Sequence, residues 1–261
     1  MLKPAALAVA LIAVPLLAAT AGAVEAAAPA GQAVEWTSWR ADNDVRNSAS
    51  LQRGARNFAN YCRGCHSLKY MRYSRMAGDL HIPEAELQAN LIPAGDKPSD
   101  YMLTSMAPAD GEAWFGKAPP DLSLIARARG ADYLYRFLKT FYADPGQPSG
   151  SNNLQLPNAA MPAVLSELEG VKRAVYAGGA APADGKAAGE KVFDHFETTT
   201  PGTMDAAQFD AFVRDTVNFL DYVGEPVQTA RVGMGVWVVL FLLVFTLLAW
   251  LLKREYWKDV H

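Results

Sequence analysis

An uncharged run near the C terminus constrains this chain more than any other feature. Residues 232–252 hold no ionisable side chain over 21 consecutive positions. At a rise of about 1.5 Å per residue, one helix of this length covers the roughly 30 Å of a bilayer's hydrocarbon core. Trp237 and Trp250 lie near its two ends, which fits a membrane span better than a buried core helix. We therefore predict a transmembrane helix over residues 231–252, set in a lipid bilayer.

The residues that flank this helix indicate its orientation. Lys253, Arg254 and Lys258 follow it, whereas Arg231 is the one basic residue at its other edge. Positive charge stays on the cytoplasmic side of a membrane. Residues 253–261 are therefore predicted as a cytoplasmic tail, and the preceding domain lies on the outer face.

Residues 1–23 have the layout of a secretory signal. Lys3 precedes an apolar stretch from Ala5 to about Ala19, and small residues follow at positions 21–23. A retained N-terminal anchor is the alternative, although the run is short for a membrane span. Either interpretation exports the domain, which we place at residues 24–230.

The exported domain is acidic. With the charged residues of the two termini set aside, 19 of the 24 basic and 25 of the 27 acidic residues remain, which gives a net charge of about −6. Such a surface disfavours nucleic acid and suits a basic protein partner that is steered by charge. A charge excess that only keeps the domain soluble is the alternative.

The only two cysteines carry the most specific chemical signal. They lie in Cys62-Arg63-Gly64-Cys65-His66, which has the C-x-x-C-H spacing of haem c attachment. At this spacing two thiols can reach the two vinyl groups on one porphyrin edge, while the adjacent imidazole is delivered to the iron. The pattern predicts one covalent haem c on Cys62 and Cys65, with His66 as a metal ligand.

Two other uses of a cysteine pair fit less well. A thioredoxin-type redox pair needs a strand before it and a helix after it, and it has no use for the histidine. A zinc site needs about four ligands. The remaining histidines, His81, His195 and His261, lack a second spaced pair, so we interpret them as surface or incidental residues.

Two amphipathic helices are predicted around the motif. The first runs from Ser48 to Tyr61, and its Gly54 suggests that another helix approaches closely there. The candidate partner runs from Asp205 to Val223, with Thr203 as a possible N-cap. The predicted buried faces are Leu51, Ala55, Phe58 and Tyr61 or Cys62 on the first helix, and Phe209, Phe212, Val213, Thr216, Val217 and Leu220 on the second.

This pair of helices resembles the frame of class I cytochromes c, in which two helices cross beside the haem. The fold class is therefore predicted as mainly α: a class I cytochrome c-like haem domain with long loops, plus one C-terminal transmembrane helix. Two core helices of some other domain are the alternative.

A methionine is the expected second axial ligand. An iron that only passes electrons works best with both axial positions filled, and a thioether raises the reduction potential. Met161 lies in the segment LPNAAMP (156–162), whose prolines fix an extended loop that could hold a side chain over the iron. By position alone, Met102, Met106 and Met204 remain candidates.

Two further segments resemble the cytochrome c1 family of bacterial type. Residues 118–133, with APPDLS at 118–123, look like the P-P-D-L-S…R-A-R…D-Y stretch of that family. Residues 152–162 are similar to its N-P-x-F-P-x-x-x-x-M-P methionine loop. The resemblance covers residue 35 to the C terminus in order. It departs from the family where residues 154–156 replace a frequent aromatic, and where the extra cysteines of some members are missing.

The resemblance implies roles for the matched positions. Met161 would be the distal metal ligand, and Arg129 and Tyr133 would bond the haem propionates. The carbonyl of Pro120 or of the residue before it would accept from Nδ1 of His66 and orient the imidazole. A solvent-facing arginine and a core tyrosine are the alternative for the pair Arg129 and Tyr133.

The resemblance also implies an electron relay in a bacterial inner membrane, with the haem domain on the periplasmic side. Single electrons would pass from a Rieske iron-sulfur protein to a soluble or membrane-bound cytochrome c. The chain would be a subunit of ubiquinol:cytochrome c oxidoreductase, the bc1 complex, beside cytochrome b, and would make or break no substrate bonds itself. Two alternatives stay open: a free-standing membrane-anchored cytochrome c shuttle, and a haem enzyme or sensor with an open iron.

Two segments give no functional prediction. Residues 77–112 mix Pro, Gly and Asp with short apolar runs, and residues 177–189 are typical of a low-complexity surface loop.

Overall fold

Helices dominate residues 35–177 and 192–258, which are the residues that the computed structural model describes. The predicted mainly α fold with one apolar C-terminal helix is confirmed. The predicted signal sequence, all but the first residue of the 177–189 loop, and His261 lie outside the described residues. In chain order the helices are α1 (Ser48–Asn57), α2 (Tyr73–Asp79), α3 (Glu84–Asn90), α4 (Pro108–Phe115), α5 (Ile125–Arg129), α6 (Ala131–Lys139), α7 (Ser166–Glu169), α8 (Ala206–Gly224) and α9 (Gln228–Tyr256).

Helices α1 and α8 cross at Gly54, where the sequence predicted a close approach. A Cβ atom on Gly54 would lie only 2.1 Å from the backbone oxygen of Asp215 and 2.6 Å from Cβ of Phe219. One turn later, the ring of Phe58 packs against that of Phe219, with 5.9 Å between the centroids. The buried carboxylate of Asp215 accepts from Nε of Arg53 at 2.5 Å, so an ion pair closes the edge of the crossing.

The N-cap of α8 is not the predicted Thr203. Asp205 caps the helix: its carboxylate accepts from the backbone N–H of Gln208 at 2.8 Å, and the Gln208 side chain accepts from the N–H of Asp205 at 3.0 Å. This reciprocal capping box satisfies two N–H groups, whereas the Thr203 hydroxyl donates to the carbonyl of Glu167. The buried face predicted for α8 is confirmed, and that of α1 is confirmed as far as Phe58, but Tyr61 is exposed and Cys62 is only half-buried.

Three two-stranded antiparallel sheets, which we did not predict, connect the helices. They pair β1 (Leu68–Arg72) with β2 (Tyr101–Met102), β3 (Phe141–Ala143) with β4 (Ser151–Asn153), and β5 (Gly170–Ala177) with β6 (Val192–Pro201). Residues 77–112 accordingly contain α3, β2 and part of α4.

Helix α9 has 29 residues, and an 18-residue window within it reaches a mean hydropathy of 2.7. No other helix among the described residues is long and apolar enough to cross a membrane. It contains the predicted span of 231–252 and extends past both of its ends. At its start, Nε of Arg231 donates to Glu225 at 2.7 Å, and Arg127 lies 3.4 Å from the same carboxylate, which ties α5 to the α8–α9 junction.

Candidate functional site

The two cysteines lie on a single tight turn at the end of α1. A π-helical turn, Phe58–Cys62, continues α1, and the backbone N–H groups of Cys65 and His66 both donate to the carbonyl of Cys62, at 3.0 and 2.8 Å. The hydroxyl of Thr104 donates to the carbonyl of Gly64 at 2.8 Å and holds the turn from outside. Helix and turn together therefore hold the thiols and the imidazole close to one another.

Both thiols are free and half-buried. Burial, together with the neighbouring Cys65 thiol, raises the pKa of Cys62 to about 12. Redox-active cysteines of the C-x-x-C type instead have a lowered pKa, because the thiolate is the reactive species. The raised pKa of Cys62 is therefore unlike that of the reactive thiol in a thioredoxin-like site.

The imidazole of His66 is held by one nitrogen. His66 is buried, and its Nδ1 lies 2.7 Å from the carbonyl oxygen of Pro120. Because a carbonyl can only accept, Nδ1 donates and Nε2 keeps its lone pair. Burial lowers the pKa of His66, although the bond to Pro120 and the charge of Asp121 oppose the shift. A neutral imidazole with one nitrogen held in this way is the usual state of a metal-binding histidine.

The segment after Pro120 is fastened along β1 by two side chains whose roles the sequence analysis missed. The carboxylate of Asp121 accepts from the N–H of Lys69 at 2.8 Å and from that of Ser123 at 3.0 Å. The hydroxyl of Ser123 accepts from the N–H of Tyr70 at 3.2 Å. Together these bonds fix the carbonyl that orients the imidazole. An Asp in a loop is a sequence signal for the local bond to the N–H of Ser123, but not for the bonds to β1.

Met161 is half-buried on the loop that follows β4. Met102 is fully buried in the core on β2, and Met204 packs against that core. The sulfur of Met106 lies 3.5 Å from where a Cβ on Gly111 of α4 would be. Met102 and Met204 therefore have packing roles, whereas Met106 lines a cavity beside Cys65 and stays a candidate with Met161.

Arg129 and Tyr133 lie together at the corner between α5 and α6. Gly130, with a φ of +88°, makes the corner, and the guanidinium carbon of Arg129 lies 5.5 Å from the centre of the Tyr133 ring. Tyr133 stacks on Phe137 with 4° between the ring planes. Arg129 is exposed, and no carboxylate of the described residues lies within ion-pair distance of it. Its charge is therefore available to an anionic group.

The donor set fits a haem c. It consists of two thiols at the attachment spacing and a neutral imidazole whose second nitrogen is held by a carbonyl. A cavity of about 290 Å³ opens beside Cys65, between Met106 and Pro119, but neither His66 nor Met161 lines it. In the described ranges, no three His, Cys, Asp or Glu side chains cluster in a way that would hold a bare metal ion.

Comparison with known proteins identifies the family. The model of the cytochrome C1 family matches residues 42–260, which is most of the chain. The chain belongs to the cytochrome c1 family.

Three proteins with different names are similar in sequence to this chain. Cytochrome c1 of Allochromatium vinosum is 46% identical over 221 residues, covering 85% of this chain and 88% of the relative. A Nitrosomonas europaea protein named ammonia monooxygenase gamma subunit is 42% identical over 222 residues, with the same coverage. A Candida albicans protein named cytochrome b-c1 complex catalytic subunit, mitochondrial, is 28% identical over 238 residues, covering 81% of this chain and 72% of the relative.

Membership of the cytochrome c1 family confirms three predictions. The cofactor is one covalently bound haem c, and the chain is an electron-transport protein. With α9 as its candidate span, it is a single-pass membrane protein. The individual ligands stay predictions, although the turn at Cys62, the His66–Pro120 bond and the Arg129–Tyr133 corner are compatible with them.

Proposed function

We propose that this chain is the haem c subunit of a respiratory bc1 complex, which passes single electrons from a Rieske iron-sulfur protein to a soluble or membrane-bound cytochrome c. The names of the Allochromatium and Candida relatives support this assignment. The chain would act within ubiquinol:cytochrome c oxidoreductase, beside cytochrome b. The observation that carries the proposal is the bond from Nδ1 of His66 to the Pro120 carbonyl, because it presets the imidazole for a metal.

In this proposal Cys62 and Cys65 would attach the haem, and His66 and Met161 would hold its iron. The haem, when bound, supplies a one-electron carrier whose potential a thioether ligand raises. The Pro120 carbonyl keeps the imidazole in one tautomer and one orientation. With His66 and Met161 both holding the iron, exogenous ligands would be excluded and little rearrangement would accompany electron transfer.

Arg129 and Tyr133 would bind the haem propionates. A guanidinium fork and a phenol are both suited to a carboxylate, and the two groups lie side by side on the α5–α6 corner. The ring of Tyr133 lies parallel to that of Phe137, with 4° between the ring planes and 6.4 Å between the centroids.

The placement in the membrane is also part of the proposal. Residues 1–23 would be the secretory signal, and residues 24–230 would form the haem domain on the periplasmic side of a bacterial inner membrane. Residues 231–252 would span the membrane, and residues 253–261 would form the cytoplasmic tail. The excess of basic residues after α9 supports this orientation. Protease added to intact spheroplasts should cut the haem domain and spare an epitope tag fused to the C terminus; the opposite pattern would reverse the orientation.

Copurification tests the assembly. After mild detergent extraction, a tagged chain should bring down a b-type cytochrome and an iron-sulfur protein, and the reduced-minus-oxidised spectrum should contain both b and c haem. Recovery of this chain alone would favour the free-standing membrane-anchored shuttle.

The name of the Nitrosomonas relative points to a different assembly, and the same experiment separates the two. Copurification with monooxygenase subunits, without b-type haem, would contradict membership of the bc1 complex. Spectra of both haem types in one preparation would support it.

A further inference from the structure

Strand β4 is unusual because its three consecutive residues are all polar and all buried. Ser151, Asn152 and Asn153 are 5%, 7% and 1% exposed. Buried polar side chains need hydrogen-bond partners, and leaving one without a partner is costly. Their partners include backbone N–H groups of the loop that carries Met161.

Two of these side chains hold the part of the loop before Met161. Oδ1 of Asn153 accepts from the N–H of Leu156 at 2.9 Å. Oδ1 of Asn152 accepts from the N–H of Asn158 at 2.8 Å. Asn158 has a φ of +60°, a left-handed conformation that the bond from Asn152 helps to maintain.

The third side chain holds the loop after Met161. Oγ of Ser151 accepts from the N–H of Ala163, two residues past the methionine, at 3.1 Å. A cavity of about 230 Å³ lies against Pro162 and Ala163, so packing on that side of the loop is incomplete. The hydrogen bond to Ser151 is therefore a specific restraint on this part of the loop.

The same strand is fastened to rigid neighbours. Nδ2 of Asn153 donates to the carbonyl of Phe137 on α6 at 2.8 Å, and Nδ2 of Asn152 donates to the carboxylate of Asp144 at 2.9 Å. Helix α6 also carries Tyr133, so the methionine loop and the proposed propionate ligand are held by one structural unit.

We propose that Ser151, Asn152 and Asn153 are positioning residues for Met161. Their side chains accept hydrogen bonds from the loop backbone on both sides of the methionine. These bonds hold the thioether where it can ligate the iron. This inference rests on the proposed function, in which Met161 is the distal ligand. Loss of one of these bonds increases the fraction of time during which the thioether is away and the iron is open to a small ligand.

Ser151 gives the most direct test, because one substitution at this position removes the hydroxyl and a second substitution keeps it. Ser151→Ala removes the acceptor for the Ala163 N–H, whereas Ser151→Thr keeps a hydroxyl at this position, which borders a cavity of about 230 Å³. The readout is carbon monoxide binding to the reduced haem-loaded protein, together with the midpoint potential and the absorption band of thioether-ligated oxidised haem.

A lost hydrogen bond of ordinary strength corresponds to about a fivefold change in an equilibrium. Carbon monoxide binds only while the thioether is away, so its binding rate should rise about fivefold in Ser151→Ala and stay near the wild-type value in Ser151→Thr. Asn218→Ala is the control for general destabilisation, because Asn218 is equally buried but bonds Ser50 and Asp44, far along the chain from the loop. It should lower stability without new carbon monoxide binding.

The Met161→Ala variant tests the ligand assignment of Met161 separately from the positioning role of the β4 side chains. If it opens the iron to carbon monoxide while Ser151→Ala and Asn152→Ala behave as the wild type, the positioning role is overturned and the ligand assignment stands. If Met161→Ala itself leaves carbon monoxide binding and the spectrum unchanged, the proposed ligand is wrong and the positioning role is overturned with it.

Discussion

Replacing Gly54 with alanine should loosen the α1–α8 crossing on which the haem motif is built. The added Cβ would lie 2.1 Å from a backbone oxygen of α8, and an ordinary carbon–oxygen contact is about 3.3 Å, so the helices must separate by about 1 Å. A gap of that size forfeits roughly a quarter to a half of the dispersion energy of the affected contacts. Overpacking typically costs about 1–3 kcal/mol, and the blocking atom is backbone, which favours the upper end.

Alanine recovers up to about 1 kcal/mol of helix propensity, so the net loss should be about 2 kcal/mol. For a chain of this size that lowers the thermal midpoint by about 4–8 °C. Gly78 of α2 is the matched control, because it is exposed and no atom lies within 4 Å of its would-be Cβ. Gly78→Ala should raise the midpoint by about 2 °C. Circular dichroism of the detergent-solubilised holoprotein measures both, and a midpoint for Gly54→Ala at or above the wild-type value would refute the reasoning.

Two further predictions concern α8. Asp205→Ala should lower the free energy of unfolding by about 1 kcal/mol because the capping box is lost. Thr203→Ala should change that free energy by less than about 0.5 kcal/mol. Urea unfolding midpoints in the opposite order would show that Thr203 is the N-cap. Burial raises the pKa of Asp210, but hydrogen bonds from Lys139 and Tyr135 outweigh it and leave the pKa below 3.8. The ionised Asp210 therefore stabilises the fold above about pH 4, and this stabilisation is lost as the pH falls through the folded-state pKa. In Asp210→Asn the free energy of unfolding should accordingly fall less steeply on acidification. The same pH dependence as in the wild type would contradict this.

The sequence contains enough information for the helices that frame the haem motif. Gly54 predicted a close helix contact because glycine in a helix is costly unless something needs the space, and the crossing at Asp215 supplies that need. The span of α9 was predictable because the length and apolar composition of a membrane helix are local properties. The error at Thr203 arose because two capping residues lie two positions apart, and only the geometry shows which one reaches the third amide.

The short strands and the loop anchors could not be predicted, because long-range pairing decides them. Residues Ser151–Asn153 are typical of an exposed turn, yet the partners that bury them come from α6 and from a loop up to 12 residues away. The carbonyl near Pro120 was expected only through family resemblance. The clamp formed by Asp121 and Ser123 needs the position of β1, which the sequence does not specify.

The central claim is that one haem is covalently attached through Cys62 and Cys65. The mature protein, produced with its haem-attachment machinery, should be run on a denaturing gel and stained for haem-dependent peroxidase activity, and its peptides should be mapped by mass spectrometry. We expect a stained band at the size of the chain, and haem on the single peptide that contains both cysteines. An unstained band, or both cysteines recovered as free thiols, would contradict the account.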